Sequence, residues 1–230
     1  ALRLDAAAGA VLDADAAGPI NLQLASGTLW LGQVASHGSG DQGAVRLQAL
    51  DGGIQAANRS TSDAPHLMGT ELVLLTGQSG DTAAQRDVGS DAQALRVQAD
   101  GLSLSAYTDQ YLRVRVLSLG DLALRGVAGD AALWGDVSVA SDGDLTLDGS
   151  ISFSDSAANA LSLSAQGDLQ LDANLAMGSG SMQLDAGDAW RQSAGTTVQN
   201  GLGSIQMTAG QGGWQQAMGA RLSTRVNDGG

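Results

Sequence analysis

Ser181-Met-Gln-Leu-Asp-Ala-Gly-Asp-Ala-Trp190-Arg-Gln-Ser-Ala-Gly195 is echoed further along by Ser204-Ile-Gln-Met-Thr-Ala-Gly210-Gln-Gly-Gly-Trp214-Gln-Gln-Ala-Met-Gly219. Ser181 and Ser204 stand 23 residues apart, as do Gly187 and Gly210. Trp190 and Trp214 stand 24 apart, so one residue is added in a turn. Self-similarity at such a period marks a repeat architecture, in which each unit buries its apolar face by stacking on its neighbours.

Outward from this pair, the apolar residues alternate. Ile20-Asn-Leu22-Gln-Leu24, Val45-Arg-Leu47, Leu95-Arg-Val97, Leu102-Ser-Leu104, Val137-Ser-Val139, Leu161-Ser-Leu163 and Ile205-Gln-Met207 all have period two. That is the pattern of strands with one face buried and one wet. Gly-Asp-Leu-x-Leu occurs at 120–124, 143–147 and 167–171, at intervals of 23 and 24 residues. Glycine allows a positive φ at a turn and Asp bonds nearby backbone amides, so Gly-Asp is expected to open each strand.

Short strands joined by Gly, Asp and Ser turns are compatible with a sandwich, a barrel or a solenoid. The fixed interval decides among them, because each turn of a solenoid must sit on the equivalent turn below. The expectation is one all-β domain over residues 1–230, a parallel β-helix (β-solenoid) of about ten coils of roughly 20–24 residues, each with two or three strands. At a strand spacing of about 4.8 Å the rod would be about 50 Å long. Inward Leu, Val, Ile and Met form ladders, with Ser, Gln, Thr and Arg facing water. Trp190 and Trp214, at equivalent positions, are expected to stack on one another.

Composition narrows the function classes. The chain is 43% hydrophobic, which separates it from disordered sequences, and no apolar run is long enough to span a membrane as a helix. Residues 1–17 lack a signal-peptide apolar centre, so if the protein is exported its targeting signal is expected outside this sequence. With no cysteine, thiolate metal sites and cysteine nucleophiles are excluded. The net charge is −13, the basic residues are all Arg, and Glu71 is the single glutamate. Phosphate backbones require clustered cations, so nucleic acid is not an expected partner.

Two stretches break the rhythm, near 56–70 and 78–93. They are read as loop insertions into coils, and inserted loops on one side of a solenoid are where binding concentrates. Candidate binding residues there are Asn58, Arg59, His66, Asp81, Arg86 and Asp87. Trp30, between Leu29 and Leu31, should point outward as an exposed aromatic.

The pattern Gly-x-x-Gln-Leu-x-Ala-Gly-(turn)-Gln-x-Ala-Gly-Thr-x-Val over residues 180–198 resembles the repeats of filamentous-haemagglutinin-like exoproteins, large surface adhesins exported by two-partner secretion in Gram-negative bacteria. The run Asp87-Val-Gly-Ser through Leu102-Ser-Leu-Ser-Ala106 is similar to a second segment of that family, with Val88 in place of an Ile and Ala94 in place of a Pro. The likeness covers most of residues 72–226, and the family's Asn-Pro-Asn-Gly secretion signature does not occur in the chain. The resemblance implies a right-handed β-helix from the interior of a secreted cell-surface rod that attaches to a host or bacterial glycan or protein receptor. It carries over no binding residue.

Two alternatives remain. A polysaccharide lyase or glycoside hydrolase would use paired carboxylates, for which Asp142, Asp144 and Asp148, or Asp13 and Asp15, are candidates. Their Gly, Ser and Ala neighbours favour turn roles instead, and Arg113, Arg115 and Arg125 are as readily partners for neighbouring Asp. The other alternative is a structural filament subunit that binds nothing. His37 and His66 are too few for a metal site, Gly38-Ser-Gly40-Asp41 is only a fragment of a calcium-binding repeat, and no cofactor is expected. The partners expected besides a receptor are neighbouring coils of the same chain and end-to-end association of the fragment.

Overall fold

The computed structural model describes residues 2–4, 9–57, 63–77, 87–107, 112–129, 135–153 and 160–224. These form an all-β parallel solenoid of about seven turns. Every strand pairing among them is parallel, and they contain one short 3-10 turn, Gly40–Gly43, and no α-helix. Two sheets result among the described residues, one of 14 strands and one of 10. Parallel neighbours arise because the chain must go round the coil before it returns to the same face.

The alternating apolar residues meet in columns that run along the lumen. One column of the longer sheet is Ile20, Val45, Leu72, Leu102, Leu124, Leu147 and Leu171. A second is Leu22, Leu47, Leu74, Leu104, Val127, Ile151, Leu175 and Val198. The shorter sheet contributes Val114, Val137, Leu161 and Met182. All of these are buried. Each such side chain contributes about 1.5–3 kcal/mol by leaving water, and one continuous cluster joins them through the molecule.

The coil changes shape at Arg125. Leu102 pairs with Leu124 but Ser103 pairs with Gly126, so Arg125 is a bulge residue without a partner in the ladder. A bulge bends its strand. Beyond it, each coil of the longer sheet carries two short strands, beginning with Leu145–Leu147 and Ile151–Phe153. Gly149 lies at the bend directly under the carbonyl of Arg125, where any Cβ would collide with the backbone.

Two expectations need revision. The expected coil length holds from Leu102 onward, but before it the coil length varies, growing from the pairing of Leu2 with Leu22 through Ile20 with Val45 and Val45 with Leu72 to Leu72 with Leu102. Polar residues also enter the interior. The column that begins at Ile20 runs into the buried Gln192, with Gln216 exposed on the coil after it, and Ser36, Thr76, Ser118, Ser141, Thr196 and Asn200 are buried as well. Most of these sit at corners, where the turning chain leaves carbonyls without ladder partners. Ser141 donates to the carbonyls of Gly120 and Asp144 at 2.7 and 3.1 Å. Gln192 donates to those of Thr196 and Arg221 at 3.0 and 3.1 Å. A buried carbonyl requires such a donor, and a short polar side chain at the corner supplies it.

Candidate functional site

The corner residues show what the Gly-Asp motif does. Leu122, Leu145 and Leu169 each start a strand directly after Asp121, Asp144 and Asp168. The carboxylates do not cap their own turns, as expected, but reach to the next coil. Asp121 accepts the main-chain N–H of Asp144 at 2.8 Å, and Asp144 that of Asp168 at 2.7 Å. Asp168 accepts from Ala189 at 2.9 Å and Asp188 from Gly212 at 2.8 Å. A Cβ on Gly143 would meet the carboxylate of Asp121, and one on Gly167 that of Asp144. Glycine and aspartate are therefore two halves of one splice: each coil's Asp occupies space that the next coil's Gly leaves empty.

Several other charged groups are similarly engaged. Asp142 accepts from Gln166 at 2.9 Å, and Asp148 pairs with Arg125. Arg125 also faces Glu71 at 3.6 Å across Gly101, so it bridges coils on both sides. Asp13 accepts the N–H of Gln33 at 2.9 Å, and Asp15 lies 3.2 Å from the His37 ring. Asp91 pairs with Arg113 at 3.2 Å and Arg115 at 2.9 Å, and Asp136 lies 3.7 Å from Arg115. Among the described residues no three His, Asp or Glu side chains converge in a way that would hold a metal ion.

Of the candidate binding residues, Asn58, Arg59, Asp81 and Arg86 lie outside the described residues. His66 is not a surface loop residue: it is 5% exposed, and its ring nitrogen Nδ1 accepts the N–H of Arg96 at 3.0 Å. Burial, aided by the Arg96 charge, holds its pKa below the ordinary imidazole value. Asp87 is partly buried and structural. Its carboxylate accepts the N–H of Arg113 at 2.8 Å and its carbonyl accepts the N–H of Ile54 at 2.9 Å. Burial pushes its pKa up and Asp91 adds to this, while the Arg113 N–H and the Arg113 and Arg115 charges oppose the rise.

Trp30 points outward as alternation predicts, but it is half-buried between Val11 and Gln55 in its column. Trp190 and Trp214 do pair in register, with ring centroids 5.2 Å apart and planes tilted by 41°. Trp190 is buried in the lumen and Trp214 is 52% exposed. A feature invisible in the sequence is a shallow groove of about 350 Å³ along one corner, lined by Ser36, Met68, Thr70, Gln98, Asp100 and Asp121. Only the coil register brings residues as distant in the chain as Ser36 and Asp121 to one groove.

No helix among the described residues is long and apolar enough to cross a membrane. No protein-family model matches the chain, and no curated protein or solved structure matches it either.

Proposed function

We propose that the chain is a structural and adhesive rod segment of a secreted bacterial surface adhesin, wound as a right-handed parallel β-helix of about ten coils. The observation that carries this reading is the pairing of corner carboxylates with the next coil's amides. Asp121, Asp144, Asp168 and Asp188 are committed to joining coils, as stiffness along a rod requires. Ten strands follow one another along the longer sheet, which supports the coil number. The handedness, the cell-surface location and the Gram-negative origin rest on the resemblance of residues 72–226 to filamentous-haemagglutinin-like repeats.

The reading contains no catalytic step. The carboxylates named as candidates for glycoside cleavage have structural partners: Asp13 and Asp144 hold main-chain amides, Asp142 the Gln166 side chain, Asp148 the Arg125 guanidinium, and Asp15 lies against the His37 ring. Partners in this reading are a surface glycan or protein receptor and further coils. Trp214, Met218 and Leu222 are exposed on the last described coil, which favours end-to-end association through the same stacking that covers Trp190. The test couples the purified chain to beads and measures retention of bacterial and host cells and of arrayed glycans. Retention by a chain that leaves polysaccharides intact is expected. Release of new reducing ends or unsaturated sugars from a polysaccharide would overturn the reading in favour of an enzyme.

A further inference from the structure

We propose that His66 is an acid-sensitive latch: protonating its ring breaks the rung it makes with Arg96 and releases residues 63–68 from the solenoid wall, while the coils beyond Leu102 stay closed. The inference does not rest on the adhesin reading.

The geometry begins with three hydrogen bonds. Val34 donates to the carbonyl of His66 at 2.8 Å, and His66 donates to the carbonyl of Arg96 at 2.8 Å. The histidine thus stands as a rung between the strands Leu29–Ser36 and Leu95–Gln98, just before the two-residue strand Leu67–Met68. The third bond uses the side chain, because the N–H of Arg96 points at Nδ1, 3.0 Å away. An acceptor at Nδ1 places the ring proton on Nε2 in the neutral form. Nε2 lies 3.5 Å from the side-chain nitrogen of Gln93, on a turn closed by Ser90, and with its proton it pairs with Gln93 only when the amide turns its oxygen inward.

Protonation adds a proton to the only ring nitrogen able to accept. Nδ1–H would then face the Arg96 N–H, donor against donor, inside a site where the histidine is 5% exposed. Both groups would be left without partners away from water, and the rung would open.

Among the described residues, the surrounding charges give the cation no support. The strand Leu95–Gln98 contributes Arg96, whose Nε is buried without a hydrogen-bond partner. The segment before the ring contributes Asp63, a fully exposed carboxylate 3.7 Å from Arg96. The turn beside the ring contributes neutral Gln93, and its Asp91 is taken up by Arg113 and Arg115. The strand Leu29–Ser36 contributes Val34 and no titratable group. Burial first, and Arg96 second, hold the His66 pKa down.

The direction of the response follows. The opened form has an ordinary imidazole and the closed form a depressed one, so the latch is fully closed above the ordinary imidazole value. It loosens as pH falls through the interval between the two.

Amide hydrogen exchange by NMR, corrected for intrinsic rates, tests this on the whole chain. From about pH 7 to about pH 5, protection of the Arg96 and His66 amides should fall about tenfold or more, with Leu145 to Leu147 unchanged. His66→Asn keeps an acceptor in the place of Nδ1 but does not titrate, and its profile should be flat. His37→Asn should keep the acid response. Persistence of the acid response in His66→Asn, or its absence in the unaltered chain, overturns the proposal. If His66→Asn does not fold, the ring titration of the unaltered protein decides. A neutral Nε2–H form with a midpoint below the ordinary imidazole value is expected, and a midpoint at or above that value overturns it.

Discussion

The two halves of this solenoid solve the same stacking problem with different parts. Beyond Leu102 the coils keep a nearly constant length: Leu102 pairs with Leu124, Leu145 with Leu169, Leu169 with Trp190 and Trp190 with Trp214. Their shared corner is one repeated splice, an Asp carboxylate on the following coil's amide beside a Gly that makes room. Before Leu102 the coils lengthen toward the pairing of Leu72 with Leu102, and carboxylates on the next coil's amide, at Asp13 and Asp87, are joined by other devices. There Ser36 bonds the carbonyls of Gly18 and Gln42, Thr70 bonds that of Gly40, and His66 bonds the N–H of Arg96. Both halves share one continuous apolar cluster, with Gln192 entering the lumen beyond Leu171. Column register is thus set by the inward side chains, and coil length is left to whatever satisfies the corner.

The contrast can be broken most sharply at the tryptophans. Trp190→Ala removes a fully buried lumen side chain and the contact with Trp214, and should cost about 3–5 kcal/mol in denaturant unfolding. Trp30→Ala, on the outer face of the irregular half, should cost about 1 kcal/mol or less. Equal losses would show that Trp30 is part of the core.

The splice gives an intermediate effect. Gly167→Ala forces a methyl group against the Asp144 carboxylate and should cost about 1–3 kcal/mol. Asp144→Ala should cost about 1 kcal/mol through the orphaned Asp168 amide. The double variant should lose clearly less than the two losses combined, because the methyl then enters space the carboxylate has left. Strict additivity in that cycle would mean that the Gly-Asp pairing is coincidence. Gly101→Ala is the control: its methyl meets only the flexible ends of Glu71 and Arg125, and the cost should stay under about 1 kcal/mol.

The smallest effect is expected at Asp87. Its raised pKa means that the folded state holds the proton more readily than the unfolded one. Stability tied to this group is therefore lost as pH rises through the interval from the ordinary carboxylate value to the raised one. Asp87→Asn keeps the acceptor for the Arg113 N–H and removes the charge. At about pH 7 its unfolding midpoint should equal or slightly exceed that of the unaltered protein, with the difference shrinking toward about pH 4. A clear loss at neutral pH would show that Arg113 and Arg115 outweigh burial.

The fold was largely legible where the chain repeats. Period-two alternation at Val137-Ser-Val139 or Leu161-Ser-Leu163 leaves no choice of inward face, and the interval between Gly-Asp-Leu copies identifies the register. The candidate binding residues were far less legible. His66 and Asp87 looked like loop residues because Pro65, Gly89 and scattered Asp and Ser mask any period. Yet His66 makes a rung with Arg96 and Asp87 holds Arg113, roles that depend on strands a full coil away. Gln192 was assigned to water by its polarity and lies in the lumen, because a carbonyl at the corner needed its amide more than solvent did.

The sequence by itself determined that this chain stacks parallel coils, where those coils keep step, and that Trp190 lies over Trp214. Those outcomes follow from side-chain periodicity, a local property that every residue carries with it. Only the tertiary structure decided where the polar groups went. The carboxylates of Asp121 and Asp144, the His66 ring and the Arg125 guanidinium each meet a partner at least one coil away. That partner is chosen by the geometry of stacked corners, which no stretch of one coil contains.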